Sequence, residues 1–101
     1  MKHPKYKLIL HKTYYEKGFF NLGVDVDAYI QSQNGLIHIL LGESKKEISG
    51  RLNRDANLNS TLRIYGGNEL KSWIQNNFNL KDLVLVYILA PDTVWITKIE
   101  N

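Results

Sequence analysis

The segment Gly35-Leu36-Ile37-His38-Ile39-Leu40-Leu41-Gly42 decides the fold class, because it is an apolar run bounded by glycine at both ends. Its length, its β-branched residues and its glycine boundaries are typical of a buried β-strand. His38 lies inside this run, where we expect a structural histidine with satisfied hydrogen bonds rather than a ligand. Residues 35–42 are therefore predicted to be a central strand of a β-rich domain.

Shorter β-rich segments extend this pattern on both sides of the central run. They comprise residues 6–12, 47–52, 61–65, 83–89 and 93–99. The last two are joined by Ala90-Pro91-Asp92, a turn-forming tripeptide, so they should form a hairpin. Residues 13–21 are aromatic, basic and interrupted by Gly18, which predicts a long loop or a twisted hairpin arm. Residues 24–31 predict a short helix or a turn.

One longer helix is predicted around residue 70. Gly66 and Gly67 supply a turn, Asn68 is a suitable N-cap, and Glu69 lies in the first turn, where the helix dipole favours an acid. The apolar face that follows has helical spacing and consists of Leu70, Trp73, Ile74 and Phe78. Trp73 and Trp95 are both expected in the core. Six or seven short strands with one or two helices predict a mainly β fold, a partly closed barrel rather than a layered α/β fold.

Length and composition predict one domain over residues 1–101. The chain has no cysteine, which excludes a disulfide framework and thiolate metal sites and fits a reducing cytoplasm. No apolar run approaches the length of a membrane span, and the first residues lack the apolar core of a signal peptide. A glycine-rich phosphate loop, a nucleophile elbow and a metal-spaced histidine cluster are all missing, so we predict no cofactor, no metal and no enzymatic activity for the chain by itself.

Positive charge is concentrated in two segments, although the net charge is only +3. Residues 1–20 contain five lysines and one acid, and residues 45–63 contain two lysines, all three arginines and two acids. The remaining stretches are net acidic. Two basic segments are expected if both border one anionic partner, but two solvated basic surfaces would give the same pattern.

The second basic segment has the side chains that suit base recognition in DNA. Arginine can donate two hydrogen bonds to guanine, and asparagine can pair with the edge of adenine. Serine and threonine hydroxyls suit phosphates or bases. Asp55 could accept from cytosine or simply hold Arg54 or Arg51 in place. The candidate DNA-binding residues here are Arg51, Asn53, Arg54, Asn57, Asn59, Ser60, Thr61 and Arg63. The alternative is that the asparagines only form a turn, as asparagine often does between strands.

The first basic segment supplies the remaining candidates. Lysines and tyrosine hydroxyls in this segment could contact phosphates, whereas some of its aromatic residues should belong to the core. The candidates are Lys12, Tyr14, Tyr15, Lys17 and Asn21.

The order of these features resembles the DNA-binding pseudobarrel superfamily. The resemblance rests on a basic aromatic arm with Gly18-Phe19-Phe20-Asn21, a glycine-bounded strand, a polar arm with Asn53-Arg54 and Arg63-Ile64, then Gly66-Gly67, the apolar helix face and a closing hairpin. This superfamily includes the plant B-three domains and the recognition or effector domains of bacterial restriction endonucleases of the EcoRII N-terminal type, to which the chain is more similar.

The resemblance implies a seven-stranded open barrel in a bacterial cytoplasmic protein that binds double-stranded DNA sequence-specifically. Two arms would enter the major groove, an N-arm over residues 12–21 and a C-arm over residues 51–63, the latter reading bases. The helix over residues 66–78 would close the barrel. Cleavage would belong to a nuclease domain or partner subunit, and the chain would serve restriction-modification as its recognition unit.

Two other functions fit the sequence. Asp25, Asp27, Glu43 and Lys45 resemble the acid and lysine set of a Mg²⁺-dependent endonuclease core, where carboxylates hold the metal. Alternatively, a small barrel could bind single-stranded nucleic acid or a peptide by stacking on its aromatic residues.

Overall fold

The computed structural model describes residues 3–57 and 61–99, and within them seven strands and three short helices form an open half-barrel. The strands are β1 (Lys5–Ile9), β2 (Phe19–Asn21), β3 (Gly35–Leu41), β4 (Lys46–Asn53), β5 (Arg63–Tyr65), β6 (Leu83–Ala90) and β7 (Thr93–Lys98). The helices are α1 (Lys12–Lys17), α2 (Val24–Asp27) and α3 (Gly67–Asn77). The mainly β class and the seven-stranded open barrel predicted above are confirmed.

The seven strands form one sheet with the order β1-β6-β7-β3-β4-β5-β2. Every pairing is antiparallel except that of β3 with β7, which is parallel. The predicted central strand, β3, therefore lies in the middle of the sheet. The hairpin predicted around Pro91 is β6–β7, and its register shifts between Ile88 and Ala90.

The core lies on the inner face of the curled sheet because apolar residues alternate along each strand. In β3, Ile37, Ile39 and Leu41 are buried, while the residues between them are at least partly exposed. Helix α3 closes one end of the half-barrel by burying Leu70 and Ile74 in the same core. None of the helices in the described part of the chain is both long and apolar enough to cross a membrane.

The barrel stays open because the edge strands β1 and β2 do not pair with each other. A cleft of 260 Å³ lies between them, lined by residues of both strands and of the segments that follow. We call it the seam cleft. Its lining includes Tyr6, His11, Tyr14, Asn21 and Thr61. The aromatic ring of Tyr6 lies against Gly23, where a Cβ atom would come within 2.7 Å of the ring.

The prediction of a loop or hairpin arm over residues 13–21 is wrong. Residues 12–17 are helix α1, and β2 follows directly. Gly18 makes this sharp change possible: it caps α1 in the left-handed conformation, with φ of 72°, and its N–H donates to the Tyr14 carbonyl. A Cβ atom at Gly18 would lie 2.4 Å from the Gly67 carbonyl oxygen, so α1 can pack closely on the start of α3 only with glycine here.

Two smaller predictions also need correction. Helix α3 is capped by Gly66 rather than Asn68, because the first helical hydrogen bond runs from Leu70 N–H to the Gly66 carbonyl at 3.3 Å. Trp95 lies on the outer face, stacked on Tyr87 with 5.1 Å between ring centroids, because its neighbours in β7 point inward. His38 also lies on the outer face, and its Nδ1 is 3.1 Å from the Glu47 carboxylate, which agrees with the expected structural histidine that has a hydrogen-bond partner.

Candidate nucleic-acid interface

Strands β4, β5 and β2 place six residues on one outward surface. Four of them are predicted DNA-binding residues, and the other two are aromatic. Arg51 pairs with Tyr65, and Tyr65 pairs with Phe19, which makes one row across the three strands. The next row on the same face is Asn53, Arg63 and Asn21. We call these six residues the Arg63 face. Its members come from chain positions 19 to 65, so only the folded sheet brings them together.

The inward residues of the same strands fix the direction in which the Arg63 face points. Phe20, Leu52 and Ile64 are each at most 2% exposed, and a shift of one residue would turn them toward solvent. Gly50 in β4 also contributes to this register. A Cβ atom there would meet Ile39 Cδ1 at 2.5 Å and the Tyr65 carbonyl oxygen at 2.6 Å, so only glycine lets β4 approach these neighbours.

Arg63 is at the centre of the face and is held by two asparagine side chains. Its Nε donates to Asn21 Oδ1 at 2.9 Å, and its Nη2 donates to Asn57 Oδ1 at 2.9 Å. Asn57 Nδ2 in turn donates to Asn21 Oδ1 at 3.1 Å and to the Thr61 carbonyl at 3.0 Å. The two arms predicted from the sequence therefore meet at this network. Because both acceptors of Arg63 are neutral amides, they fix the guanidinium without cancelling its charge.

Aromatic rings support the guanidinium of Arg63 from one side. Its central carbon lies 4.2 Å from the centroid of Phe19 and 5.9 Å from that of Tyr65, which are cation–π distances. The rings continue as a row, with centroid distances of 5.6 Å from Phe19 to Tyr65, 5.9 Å from Phe19 to Tyr14 and 5.9 Å from Tyr14 to His11. Most of these contacts are edge-to-face, the geometry that aromatic pairs prefer.

Arg54 has a different environment from the one predicted for a base-reading residue. Its side chain is 18% exposed and forms an ion pair with the carboxylate of Asp27. The same guanidinium donates to the backbone carbonyls of Asp27, Ile30 and Gln31, at distances of 2.8 to 3.2 Å. Arg54 thus satisfies the carbonyls after α2, and few of its donors remain for a base. We therefore expect Arg54 to stabilise the fold rather than to contact DNA.

Side-chain hydrogen bonds from neighbouring residues also fix the start of the connection between β4 and β5. Asn34 accepts a hydrogen bond from the backbone N–H of Arg54 at 2.8 Å and donates to the Asp55 carboxylate at 3.0 Å. Asn53 accepts from the backbone N–H of Asp55 at 2.7 Å, which is an Asx turn. Among the described residues, the Asp55 carboxylate forms no ion pair with Arg51 or Arg54. The sequence left open that asparagines in this segment only form turns, and Asn53 does form one.

The other predicted residues are distributed over both sides of α1 and over the seam cleft. Lys12 and Lys17 are exposed on α1. The Tyr15 hydroxyl donates to the Phe78 carbonyl at 3.2 Å, at the residue that follows α3. Thr61 lines the seam cleft beside Asn21. Asn59 and Ser60 lie outside the described residues.

Charge on the Arg63 face is positive and uncompensated. Its two rows contain two arginines and no carboxylate. Arg51 is exposed and makes no ion pair or side-chain hydrogen bond with a residue in the described ranges. Positive charge that is neither paired nor buried attracts anions from solution.

The residues of the alternative endonuclease core are not brought together. Glu43 and Lys45 lie in the turn before β4, whereas Asp27 binds Arg54 after the end of β4. An eight-residue strand of about 3.3 Å per residue separates these two ends by roughly 25 Å. Lys45 instead lies over the Trp95 ring, 4.4 Å from its centroid. Within residues 3–57 and 61–99, no cluster of histidine, aspartate and glutamate could hold a metal ion.

Sequence reasoning did not include Phe19 and Tyr65 of the Arg63 face, or the nearby His11, among the candidate DNA-binding residues. Tyr65 could have been found from the alternation in β5, where Ile64 points inward and its neighbours therefore point outward. His11 precedes a helix that was not predicted, so no sequence signal placed it. The chain matches no known protein-family model, and a search of curated proteins finds none with significant similarity.

Proposed function

We propose that this protein binds double-stranded DNA in a sequence-selective way through the Arg63 face and the adjoining α1. The observation that carries this proposal is the convergence of Arg51, Arg63, Asn21 and Asn57 from both predicted arms around one uncompensated positive surface. Arginine and asparagine side chains are those that discriminate bases in the major groove. The exposed Lys12 and Lys17 on α1 would contact phosphates and position the duplex.

The resemblance to the DNA-binding pseudobarrel superfamily supports the same function and adds a biological setting. In that setting the chain is the recognition or effector domain of a bacterial restriction-modification system. A nuclease domain or subunit would cut the DNA, since the face itself has arginines and amides but no carboxylate for a metal. The seven-stranded open barrel is the fold that this resemblance implies.

Binding of single-stranded nucleic acid is the second candidate, and the row from His11 to Tyr65 is the observation that favours it. Single strands bind proteins by stacking bases on exposed aromatic faces. However, the guanidinium of Arg63 already covers one face of Phe19, and the remaining rings meet mainly edge to face. These contacts leave less ring surface for bases, and we therefore favour the duplex.

The first test is selection of a random duplex library on the purified protein at moderate salt, followed by sequencing. We expect one short enriched motif. Fluorescence anisotropy then compares the enriched duplex with its separate strands, and the duplex should bind more tightly. Tighter binding of either single strand, or enrichment of no motif, would contradict the proposal.

A matched pair of variants tests the location of the site. Arg51→Ala should weaken binding of the enriched duplex, whereas Lys46→Ala should not, although both remove one positive charge from β4. The two residues lie five positions apart on the strand, about 17 Å. Equal weakening by both variants would show general attraction to a polyanion rather than binding at the Arg63 face.

A further inference from the structure

The guanidinium of Arg63 is held by more contacts than it would need merely to attract an anion by its charge. Asn21 and Asn57 accept hydrogen bonds from its Nε and Nη2, and Phe19 supports the guanidinium plane from one side. Asn57 is itself fixed by its bonds to Asn21 and to the Thr61 carbonyl. These contacts restrict both the plane of the guanidinium and the direction of its donors within that plane.

The two amide oxygens occupy one particular edge of the guanidinium. Nε and Nη2 form the lateral edge of an arginine, and both asparagine oxygens lie along it. The terminal edge, formed by Nη1 with the other hydrogen of Nη2, makes no hydrogen bond to a residue in the described part of the chain. This terminal edge carries two parallel N–H groups. Such a fork matches two adjacent acceptors, either O6 and N7 of guanine or two oxygens of one phosphate.

We infer that the terminal edge of Arg63 reads a single guanine through its O6 and N7 atoms, with Asn21 and Asn57 as positioning residues. The inference rests on the proposed function and names the base that this part of the site recognises. Guanine is favoured over phosphate because a base edge has one plane and one direction, which a donor fixed by two hydrogen bonds along one edge and by one aromatic ring can match. A phosphate accepts from many directions and gains little from such restraint.

The neutral character of the positioning residues supports the same conclusion. Carboxylates in place of Asn21 and Asn57 would hold Arg63 more strongly but would cancel its charge and weaken its attraction for DNA. Amide oxygens restrain the guanidinium and leave its full charge available for the acceptors of guanine. The arrangement therefore combines orientation with undiminished charge, which a donor that reads bases requires.

The test replaces each guanine of the enriched duplex, one at a time, with 7-deazaguanine, which lacks the N7 acceptor but keeps base pairing. Dissociation constants are measured by fluorescence anisotropy for the wild-type protein and for Arg63→Lys, which keeps the charge but loses the fork. We expect one guanine at which the replacement weakens wild-type binding about tenfold. At that guanine the replacement should have no effect on Arg63→Lys. Lys46→Gln serves as the control and should behave as the wild-type protein does.

The possible outcomes separate this inference from the proposed function. If Arg63→Lys keeps the full 7-deazaguanine effect, Arg63 does not contact N7 and the inference is wrong, while duplex recognition stands. If the wild-type protein is insensitive at every guanine of an enriched motif, the conclusion is the same. If no motif is enriched, the proposed function fails, and the inference fails with it.

A second variant keeps the test valid if Arg63→Lys folds poorly, which a thermal melt would reveal. Asn57→Ala removes one of the two acceptors but leaves Arg63 in place. We expect it to reduce the 7-deazaguanine effect at the same guanine to less than half of its wild-type factor. A purely structural role for Asn57 would lower affinity for both duplexes equally and leave that factor unchanged, and this result would contradict the role of Asn57 in positioning Arg63.

Discussion

Replacement of Arg54 should destabilise the fold, although the sequence alone suggested that this residue reads DNA. Arg54 pairs with Asp27 and donates to the carbonyls of Asp27, Ile30 and Gln31. In Arg54→Ala these acceptors lose their donor together. Loss of one partner from a fully buried ion pair costs about 3–5 kcal/mol. The Asp27 side chain is 39% exposed and can be rehydrated in part, so we expect a smaller loss of about 2–4 kcal/mol in the free energy of unfolding.

The measurement is urea unfolding followed by tryptophan fluorescence, with Arg51→Ala as the control. For an m-value of about 2 kcal/mol per molar urea, a loss of 3 kcal/mol lowers the unfolding midpoint by about 1.5 M. Arg51→Ala should remain within about 0.5 kcal/mol of the wild-type protein, because Arg51 is exposed and has no partner in the described part of the chain. Arg54→Lys should recover only part of the loss, because an ammonium group cannot reproduce the planar fork.

An unchanged urea midpoint for Arg54→Ala would show that the contacts of Arg54 do not stabilise the fold. If the variant also lost binding to the enriched duplex while remaining fully stable, Arg54 would be a base-reading residue, as its position in the sequence suggested. Equal midpoints for Arg54→Ala and Arg51→Ala would likewise show that the bonds to the α2 carbonyls contribute little to stability.

Three further predictions concern other parts of the chain. Lys12→Ala and Lys17→Ala should each weaken binding to all duplexes alike and reduce the slope of log K against log salt by about one unit, and a sequence-dependent effect would contradict their assignment to phosphates. Gly50→Ala should cost about 1–3 kcal/mol in a urea titration, because its Cβ atom would overlap the Tyr65 carbonyl oxygen, and a neutral effect would show that β4 can shift. Trp95→Phe should cost about 1–2 kcal/mol in a thermal melt, because the Trp95 Nε1 donates to the Gly42 carbonyl at 2.6 Å, and an unchanged melting temperature would contradict this.

The strands could be predicted because their signal is local. Glycine boundaries and β-branched runs located β3, β6 and β7, since each pattern lies within one short segment. Helix α1 gave no such signal. Thr13, Tyr14 and Tyr15 are weak helix formers, and no side chain caps the start of the helix. Its stability comes from contacts with α3, such as the hydrogen bond from Gln75 Nε2 to the Tyr15 carbonyl at 2.9 Å, which a local reading of the sequence cannot reveal.

The sequence predicts which residue types belong to the candidate site, but it does not predict which of these residues lie next to each other. The alternation of β4 and β5 implies that Arg51 and Arg63 point outward from their strands. It does not imply that Asn21 lies opposite Arg63, because that pairing joins strands separated by more than forty residues. Nor does it predict the ion pair of Arg54 with Asp27, which depends on the path of the connection after α2.

The contrast between Arg54 and Arg63 shows what the sequence leaves undetermined, namely which acceptors each arginine meets in the fold. Both arginines lie in the same asparagine-rich stretch, and both have well-fixed guanidinium groups. Arg54 is fixed by a carboxylate and by the carbonyls at the end of α2, so its charge is neutralised within the fold. Arg63 is fixed by two neutral amides and an aromatic ring, so its charge remains on the surface. Two arginines nine residues apart thus differ in the charge of their acceptors. The carboxylate of Asp27 makes Arg54 part of the fold, whereas the neutral acceptors of Arg63 leave its positive charge available for the anionic partner that we propose.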